Sequence, residues 1–148
     1  MTISCKIFDE LTTKELYDLL QLRSEIFVVE QQCAYLDIDG VDFQCHHLLI
    51  YDHNDKLQAY ARLIPAGLTF LENSIGRIVT REHGNGLGKI LMKVALVEMN
   101  NIFGDRPIRI GAQTQALPFY RNFGFIEDGE PYDEDGIDHI EMIRVDRN

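Results

Sequence analysis

The sequence predicts a mixed α/β fold, and three observations support that prediction. The chain has 148 residues, of which 45% are hydrophobic and 26% charged, a balance typical of a globular protein with a real core. Short apolar runs of strand type are separated by turn residues. Between residues 74 and 113, a strand-like run, a helical stripe and another strand-like run follow one another, as in a βαβ unit. No repeat or linker divides the sequence, so we expect one domain over residues 1–148.

The first half of the chain predicts a strand, a helix and a hairpin. Residues 2–8 can form the first strand, and Thr12 or Thr13 can cap a helix that runs to about Gln31. Residues 32–43 have the composition of a loop. The strand-like runs 46–52 and 56–65 are joined by the turn residues His53, Asn54 and Asp55, so they predict a β-hairpin.

The second half predicts two strands around a long helix, then a short helix and a last strand. Residues 74–80 form a strand-like run that leads into a glycine-rich stretch. Apolar residues at helical spacing follow and predict a mostly buried helix. Residues 107–113 predict a strand, 116–124 a short helix ended by Gly124, and 139–145 the last strand. The first helical stripe consists of Leu87, Ile90, Leu91, Val94 and Ala95, and the second of Met92, Leu96, Met99 and Phe103.

Charge and cysteine content exclude several classes of function. The net charge of −10 repels phosphate backbones, so we expect no nucleic-acid partner. The apolar runs fall far short of the roughly 20 residues of a membrane span, and no signal peptide is visible. Three cysteines without paired spacing indicate reduced thiols and disfavour a metal site, so we expect no metal and a cytoplasmic protein.

An acidic loop invites a calcium interpretation that the spacing does not support. Asp37, Asp39 and Asp42 lie close together, but a calcium loop needs glycine at its sixth position, where the chain has Asp42. We therefore expect a loop held by its own side-chain hydrogen bonds, with Arg62 and Arg77 pairing with some of the carboxylates. Alternatively, these acids and those at residues 133–135 could rim a pocket for a cationic amine.

The glycines at 84, 86 and 88 predict an anion site. Bare backbone at a helix start leaves amide N–H groups open to a ligand, and the helix dipole adds positive potential there. A tight turn without a ligand is the structural alternative. A nucleotide-kinase loop would need glycine at 83 and a hydroxyl at 90, where His83 and Ile90 stand. A dinucleotide loop would need glycine at 89, where Lys89 stands.

The same stretch resembles the [Q/R]-x-x-G-x-[G/A] loop of the GNAT N-acetyltransferase superfamily, which cradles the pyrophosphate of acetyl-CoA. Two registers fit: one begins at Arg81, and the other places His83 to Gly88 in the loop. We adopt the second, which departs from the family pattern because His83 replaces Arg or Gln. The segments LLQLRSEIFVVEQ, YLDIDGVD, AYARL, IGRIVT, FYRNFGF and EDGIDHIEM extend the resemblance to the ElaA subfamily over nearly the whole chain.

This resemblance implies a mixed, largely antiparallel sheet flanked by helices, with strands four and five splayed around acetyl-CoA. The acceptor amine would enter from the opposite side. The resemblance further implies that the pantetheine arm follows strand four and that the pyrophosphate lies on the glycine loop. The implied cofactor-binding residues are Ile78, Val79, Thr80, His83, Gly84, Asn85, Gly86, Leu87, Gly88 and Lys89.

The resemblance implies transfer of an acetyl group from acetyl-CoA to a primary amine of a small molecule or peptide. Tyr120 would give a proton to the leaving thiolate, although core packing is the alternative role for an aromatic residue in this segment. Glu30, at the end of the first helix, and His47, on the hairpin, are candidate bases. His139 begins the last strand and is equally open, so no single base is assigned.

Two other functions stay open at this stage. A non-catalytic acyl-CoA-binding or sensor module on the same fold would fit the departure at His83. An acyl-homoserine-lactone type of synthase fits less well, because the chain is short. We expect a monomer or a homodimer that binds a small amine and no membrane.

Overall fold

The computed structural model describes residues 1–145. The helices are α1 (Thr13–Arg23), continued by a π-helical segment (Ser24–Glu30), α2 (Leu87–Phe103) and α3 (Leu117–Arg121), with 3-10 turns at Phe8–Glu10, Asp42–Gln44 and Thr114–Ala116. The strands are β1 (Thr2–Ile7), β2 (His46–Tyr51), β3 (Leu57–Ile64), β4 (Ser74–Thr80), β5 (Ile108–Gln113), β6 (Ile126–Glu127), β7 (Tyr132–Glu134) and β8 (Ile137–Arg144).

Local sequence signals explain where the two long helices begin and end. The Thr12 side chain accepts a hydrogen bond from the Glu15 amide at 3.0 Å, and the Glu15 carboxylate accepts one from the Thr12 amide at 2.8 Å. This reciprocal pair satisfies two amides at the start of α1 that have no partner inside the helix. Glycines stand at both ends of α2, where the backbone takes positive φ angles of 79° at Gly86 and 81° at Gly104.

The strands form two four-stranded sheets that meet at one point. The first sheet has the order β1-β2-β3-β4, and the second has β5-β8-β6 with β7 also paired to β8. All strand pairs are antiparallel. β4 and β5 meet through a parallel bridge between Asn73 and Ile108, where the Arg109 amide donates to the Asn73 carbonyl at 2.9 Å. Beyond that bridge the two strands diverge, which confirms the predicted splay.

Helices cover both faces of the first sheet. α2 packs on one face against Leu48, Ala61 and their neighbours, and α1 packs on the other against Leu49 and Tyr60. Burying each such leucine stabilises the fold by about 1.5–3 kcal/mol. The buried face of α2 is narrower than predicted, because Ile90 is 39% exposed. Its buried residues are Leu87, Leu91, Met92, Ala95 and Met99.

A β-bulge interrupts β4 in its middle. The pairing register shifts between Tyr60 and Arg62 of β3. As a result, two residues of β4, Arg77 and Ile78, lie opposite the single residue Ala61 of β3. Arg77 has a φ of 51°, an uncommon angle for a residue with a side chain. The extra residue exchanges the two faces of β4: Ile75 packs on the α2 side, whereas Val79 packs on the α1 side.

The predicted elements are confirmed except near the end of the chain, where a hairpin was missed. β7 and β8 form a tight hairpin, with φ angles of 53° at Asp135 and 83° at Gly136. Two successive positive φ angles at an Asp-Gly pair are typical of a two-residue hairpin turn. Among residues 1–145, no helix is long and apolar enough to cross a membrane.

Candidate active site

A cleft of about 730 Å³ opens where β4 and β5 diverge. Its walls come from β4, the glycine turn, the start of α2, β5, α3 and the β7–β8 hairpin. This volume lies within the range of small-ligand sites. The cleft brings together most of the predicted cofactor-binding residues, namely Ile78, Val79, Thr80, His83, Gly84, Asn85, Gly86, Gly88 and Lys89. Leu87 is the exception, because its side chain packs into the core beneath α2.

The glycine turn presents backbone amides to the cleft. Gly84 and Gly86 have φ angles of 77° and 79°, and a Cβ at either position would point into open space. The Leu87 amide donates to Asn85 Oδ1 at 3.1 Å. The amides of Gly88 and Lys89 belong to the first turn of α2, so no carbonyl inside the helix can accept from them. That turn contains no acidic side chain, so its positive dipole end can receive an anion.

The edge of β4 that faces β5 forms the second part of the cleft. Among residues 1–145, β4 pairs along its length only with β3, because β5 has already diverged. The bulge at Arg77 turns the neighbouring backbone away from the regular ladder. The backbone groups of β4 along this edge are therefore able to pair with an extended, amide-bearing ligand.

Tyr120 lies in the cleft wall on the α2 side. Its ring packs edge-on against Phe119, with centroids 5.3 Å apart, and against Phe125, with centroids 6.1 Å apart. Burial raises the pKa of Tyr120 to about 12. The hydroxyl is therefore protonated at neutral pH and can donate a hydrogen bond. Because this pKa stands about three units above that of a free thiol, hydrogen-bonding to a leaving thiolate is easier than complete proton transfer.

Glu30 lies beside the glycine turn and is not among the residues that line the cleft. Its Oε2 is 2.9 Å from Nε2 of His83, and both side chains are largely exposed. The pair connects the end of the π-helical segment to the turn. The structure therefore brings Glu30 to the end of the cleft where the turn amides lie, rather than to the Tyr120 region.

His47 is fully buried and lies outside the cleft, so the proposed base role is not supported by its position. Its Nε2 lies 2.9 Å from the Asp42 carbonyl, and its Nδ1 lies 2.6 Å from the Tyr60 hydroxyl. A carbonyl only accepts, so Nε2 carries the hydrogen and Nδ1 accepts from the tyrosine. Since both ring nitrogens are occupied, His47 holds the 3-10 turn at Asp42 against β3.

The acidic loop is held by arginines. Arg23 is fully buried, with Nε 2.9 Å from Asp37 and Nη1 2.8 Å from Asp42. Arg62 and Arg77 complete the network, which confirms their predicted pairing. Arg62 contacts Asp39 at 2.6 Å and Asp42 at 3.0 Å, and Arg77 contacts Asp37 at 2.8 Å.

These ion pairs set the charge of the loop. Burial would raise the pKa of Asp39, but the hydrogen bonds from Arg62 and the Val41 amide and the charges of Arg62 and Arg77 together outweigh it, and the pKa falls to about 2. Burial also acts to raise the pKa of Asp42, but that pKa is lowered too, mainly by the hydrogen bond from Arg23, so Asp39 and Asp42 stay ionised at neutral pH and pair with the arginines. Within residues 1–145, no group of three or more possible metal ligands is present.

The β7–β8 hairpin forms a wall of the cleft whose role the sequence leaves open: His139 is one candidate base, residues 133–135 are a possible pocket rim, and Tyr132 is not predicted. Tyr132, Glu134 and His139 line the cleft from the β7–β8 hairpin. Gly111 of β5 leaves room for Tyr132, because a Cβ there would lie 2.7 Å from the tyrosine hydroxyl. The Asp-Gly pair at 135–136 is the sequence signal that could have predicted this hairpin and the face it presents.

Known proteins share both the sequence and the fold of this chain. A family model described as an acetyltransferase (GNAT) domain matches residues 25–145. Protein ElaA of Escherichia coli is 43% identical over 139 residues, which cover 91% of this chain and 90% of that protein. An acyl-CoA N-acyltransferase from Pseudomonas aeruginosa is 40% identical and has a TM-score of 0.92, covering 98% of this chain and 100% of that chain.

The crystal structure of Escherichia coli ElaA is also similar, with a TM-score of 0.89 at 39% identity, covering 97% of this chain and 98% of that chain. The matches confirm the predicted fold and family, and they support acyl transfer as the chemistry of the cleft. The chain belongs to the GNAT acetyltransferase family, as an ElaA-like member.

Proposed function

We propose that residues 1–148 act as one domain that transfers the acetyl group of acetyl-CoA to a primary amine of a small molecule or peptide. One observation carries the proposal: a single cleft joins the glycine turn, the free edge of β4 and the Tyr120 side chain. The glycine turn can bind a diphosphate, the edge of β4 can pair with an amide-bearing arm, and Tyr120 can contact a thioester.

The fit to acetyl-CoA rests on backbone groups. The amides of Gly84, Gly86, Gly88 and Lys89 can hydrogen-bond the diphosphate, because no Cβ at the glycines blocks its approach and the first turn of α2 has no internal acceptor for them. Lys89 lines the same region and adds a positive charge. Along the edge of β4, residues 78–80 can pair with the amides of the pantetheine arm, as an added strand would.

The proposed chemistry needs three groups near the thioester. A backbone N–H near Val79 would stabilise the oxyanion that forms when the amine attacks. The Tyr120 hydroxyl would donate a hydrogen bond to the leaving thiolate. A base must also take a proton from the amine, because an alkylamine is charged at neutral pH.

Charge on the acceptor wall favours an amine. Glu134 and Asp135 line the cleft from the β7–β8 hairpin. Carboxylates in a partly desolvated cleft attract cations, and the net charge of −10 adds to that attraction.

Three free cysteines, Cys5, Cys33 and Cys45, fit a reducing compartment such as the cytoplasm.

Ligand-induced stabilisation tests the binding half of the proposal. Acetyl-CoA and CoA should raise the melting temperature, because a ligand that binds only the folded state stabilises it. NAD and ATP at the same concentration should leave it nearly unchanged. Equal shifts from all four compounds would contradict the assignment of the cleft to CoA.

A thiol-release screen tests the catalytic half. Acetyl-CoA is incubated with a panel of alkylamines, diamines, amino sugars and amino-acid amides, and free CoA thiol is measured. Release with at least one amine, together with the acetylated amine by mass spectrometry, is the expected result. Binding of acetyl-CoA without thiol release across the panel would favour the sensor module instead.

A further inference from the structure

His139 occupies a built position in the acceptor wall of the cleft. It lies in β8 opposite Gln113 of β5 and Tyr132 of β7, so the three side chains share one face of the second sheet. The imidazole stacks on the Tyr132 ring, with centroids 5.7 Å apart and an interplanar angle of 26°. His139 is only 6% exposed and lines the cleft, so its orientation is fixed by packing.

Hydrogen bonding determines which ring nitrogen of His139 has a free lone pair. Nδ1 lies 2.8 Å from the Ile137 carbonyl oxygen, which can only accept. The hydrogen of the neutral ring is therefore on Nδ1, and the lone pair is on Nε2. Among residues 1–145, the carboxylate nearest to Nε2 is that of Glu134, whose Oε2 is 3.8 Å away and too far for a hydrogen bond. Nε2 can accept a proton, and Glu134 can stabilise the resulting cation.

The neighbouring groups do not compete for this nitrogen. The Asp135 carbonyl accepts from the Cys33 thiol at 3.1 Å, and the Asp138 carboxylate accepts from the Thr114 hydroxyl at 3.3 Å. Tyr132 stacks on the imidazole face, and among residues 1–145 the side-chain hydrogen bond of His139 is the one at Nδ1, so the tyrosine hydroxyl does not donate to Nε2. His83 also lines the cleft, but it is exposed at the glycine turn and bonded to Glu30.

We propose that Nε2 of His139 is the general base for the acceptor amine and that the Glu134 carboxylate stabilises the protonated ring. The inference rests on the proposed acetyl transfer. Nε2 takes a proton from the bound ammonium and passes it to water. The neutral amine then forms a bond to the thioester carbonyl carbon, and the positively charged nitrogen gives a second proton to Nε2. The C–S bond breaks, the sulfur keeps its electron pair, and the second proton leaves Nε2 and reaches the sulfur through water. The products are an amide, a free thiol and the one proton released to water, and His139 is neutral again.

Kinetics with two nucleophiles test the assignment. With the fastest amine of the screening panel, His139→Gln should lower kcat/KM by about 10²- to 10⁴-fold, the usual loss when a general base is removed. Hydroxylamine is largely uncharged at neutral pH and does not need a base to remove a first proton. With hydroxylamine as the nucleophile, the fall in kcat/KM caused by His139→Gln should therefore be at least tenfold smaller. Imidazole added to His139→Gly should restore part of the rate. The exposed turn residue gives the control, His53→Gln, which should keep the full rate.

Binding and NMR measurements separate this inference from the proposed function. His139→Gln must keep the acetyl-CoA-induced rise in melting temperature, because His139 lies away from the glycine turn. In the unmodified protein, ¹⁵N shifts of the His139 ring should show the hydrogen on Nδ1. A hydrogen on Nε2, or a His139→Gln rate within threefold of the unmodified rate, would overturn the base assignment alone. Acetyl-CoA binding without thiol release by the unmodified protein would overturn both.

Discussion

His83 of the glycine turn and Glu30 at the end of the π-helical segment face each other, with the imidazole Nε2 2.9 Å from the carboxylate Oε2. The contact places a negative charge beside the amides that we propose bind a diphosphate. His83 is the residue that departs from the family pattern, and its side chain contacts Glu30. The two side chains therefore connect the end of the π-helical segment to the glycine turn.

Removing the Glu30 charge is expected to strengthen CoA binding. Glu30→Gln should lower the Kd of CoA about two- to fivefold, because two like charges a few ångströms apart in water repel by about 1 kcal/mol or less. The gain should shrink at 1 M salt, where screening is strong. Calorimetric titration measures both values. Glu127→Gln, which removes an exposed ion-paired carboxylate elsewhere, is the control and should change neither.

The same variant decides whether Glu30 acts as a base. If Glu30 accepted the proton of the amine, Glu30→Gln would lower kcat at least a hundredfold. We expect kcat to change less than threefold, because Glu30 does not line the cleft. A large fall in kcat with unchanged CoA affinity would contradict this expectation and indicate that Glu30 is the catalytic base.

Gly86→Ala should weaken acetyl-CoA binding in addition to lowering the free energy of unfolding. An alanine at a φ of 79° costs about 1–2 kcal/mol of folding free energy, and its methyl group would occupy the open space at the turn where we propose the diphosphate binds. Losing one amide hydrogen bond to a charged phosphate costs about 1.5–3 kcal/mol, so the Kd should rise about 10- to 100-fold. Isothermal titration and thermal unfolding measure the two effects.

Gly104→Ala is the matched control for this change. Gly104 has a φ of 81° at the other end of α2, and a Cβ there would also meet open space. Gly104→Ala should lose at least as much stability as Gly86→Ala, because its ψ of −172° lies in a region open essentially to glycine alone, but only Gly86→Ala should lose affinity. Equal affinities in the two variants would mean that the turn amides do not hold the ligand.

Tyr120→Phe should lower kcat about 10- to 100-fold and leave the Kd of acetyl-CoA unchanged, because the hydroxyl assists the thiolate only as the C–S bond breaks. Steady-state kinetics and titration separate the two constants. Tyr51→Phe removes the hydroxyl of another buried tyrosine, which donates to Asp18 at 2.8 Å far from β5, and should leave kcat unchanged. If kcat were unchanged in Tyr120→Phe, the hydroxyl would have no role in catalysis, and the Tyr120 ring would serve only to pack the core.

The sequence predicts most of the cleft residues at the glycine turn but leaves the roles of those on the β7–β8 hairpin open, for a physical reason. Glycines at 84 and 86 report directly on backbone geometry, since their positive φ angles are needed whatever packs around them. The choice between His47 and His139 depends instead on which strand neighbours surround each ring. Both are buried histidines in strands, and only the hydrogen-bond partners show that one ring has a free nitrogen.

The bulge in β4 limits what periodicity can predict. An alternating pattern over residues 74–80 predicts that residues 75 and 79 share a face, whereas the extra residue at Arg77 sends them to opposite sides of the sheet. Gly76, just before Arg77, is a local sign that this strand could hold a bulge, but it does not show that the positive φ falls on Arg77. The ion pairs of Arg77 with Asp37 and Asp39, made across the fold, hold that conformation in place.

His47 should make folding stability depend on pH near neutrality. Burial lowers the pKa of His47 below its usual value of 6.5, although the hydrogen bond to the Asp42 carbonyl opposes that shift. Above pH 6.5 the ring is neutral in both states, so its stabilising contacts are fully present. Below pH 6.5 the unfolded chain takes up a proton that the folded protein does not. The free energy of unfolding should then fall by up to about 1.4 kcal/mol per pH unit.

Urea unfolding between pH 8 and 5.5 measures this dependence above the range in which most carboxylates titrate. The positive charges of Arg23 and Arg62 act in the same direction as burial, and the Asp42 charge opposes them. His47→Gln should be less stable at pH 8, because its bonds to Tyr60 and Asp42 are altered, but it should lose much of the decline below pH 6.5. His53→Gln, in the exposed turn, should keep that decline. If His47→Gln kept the full decline, the buried ring would not be its source.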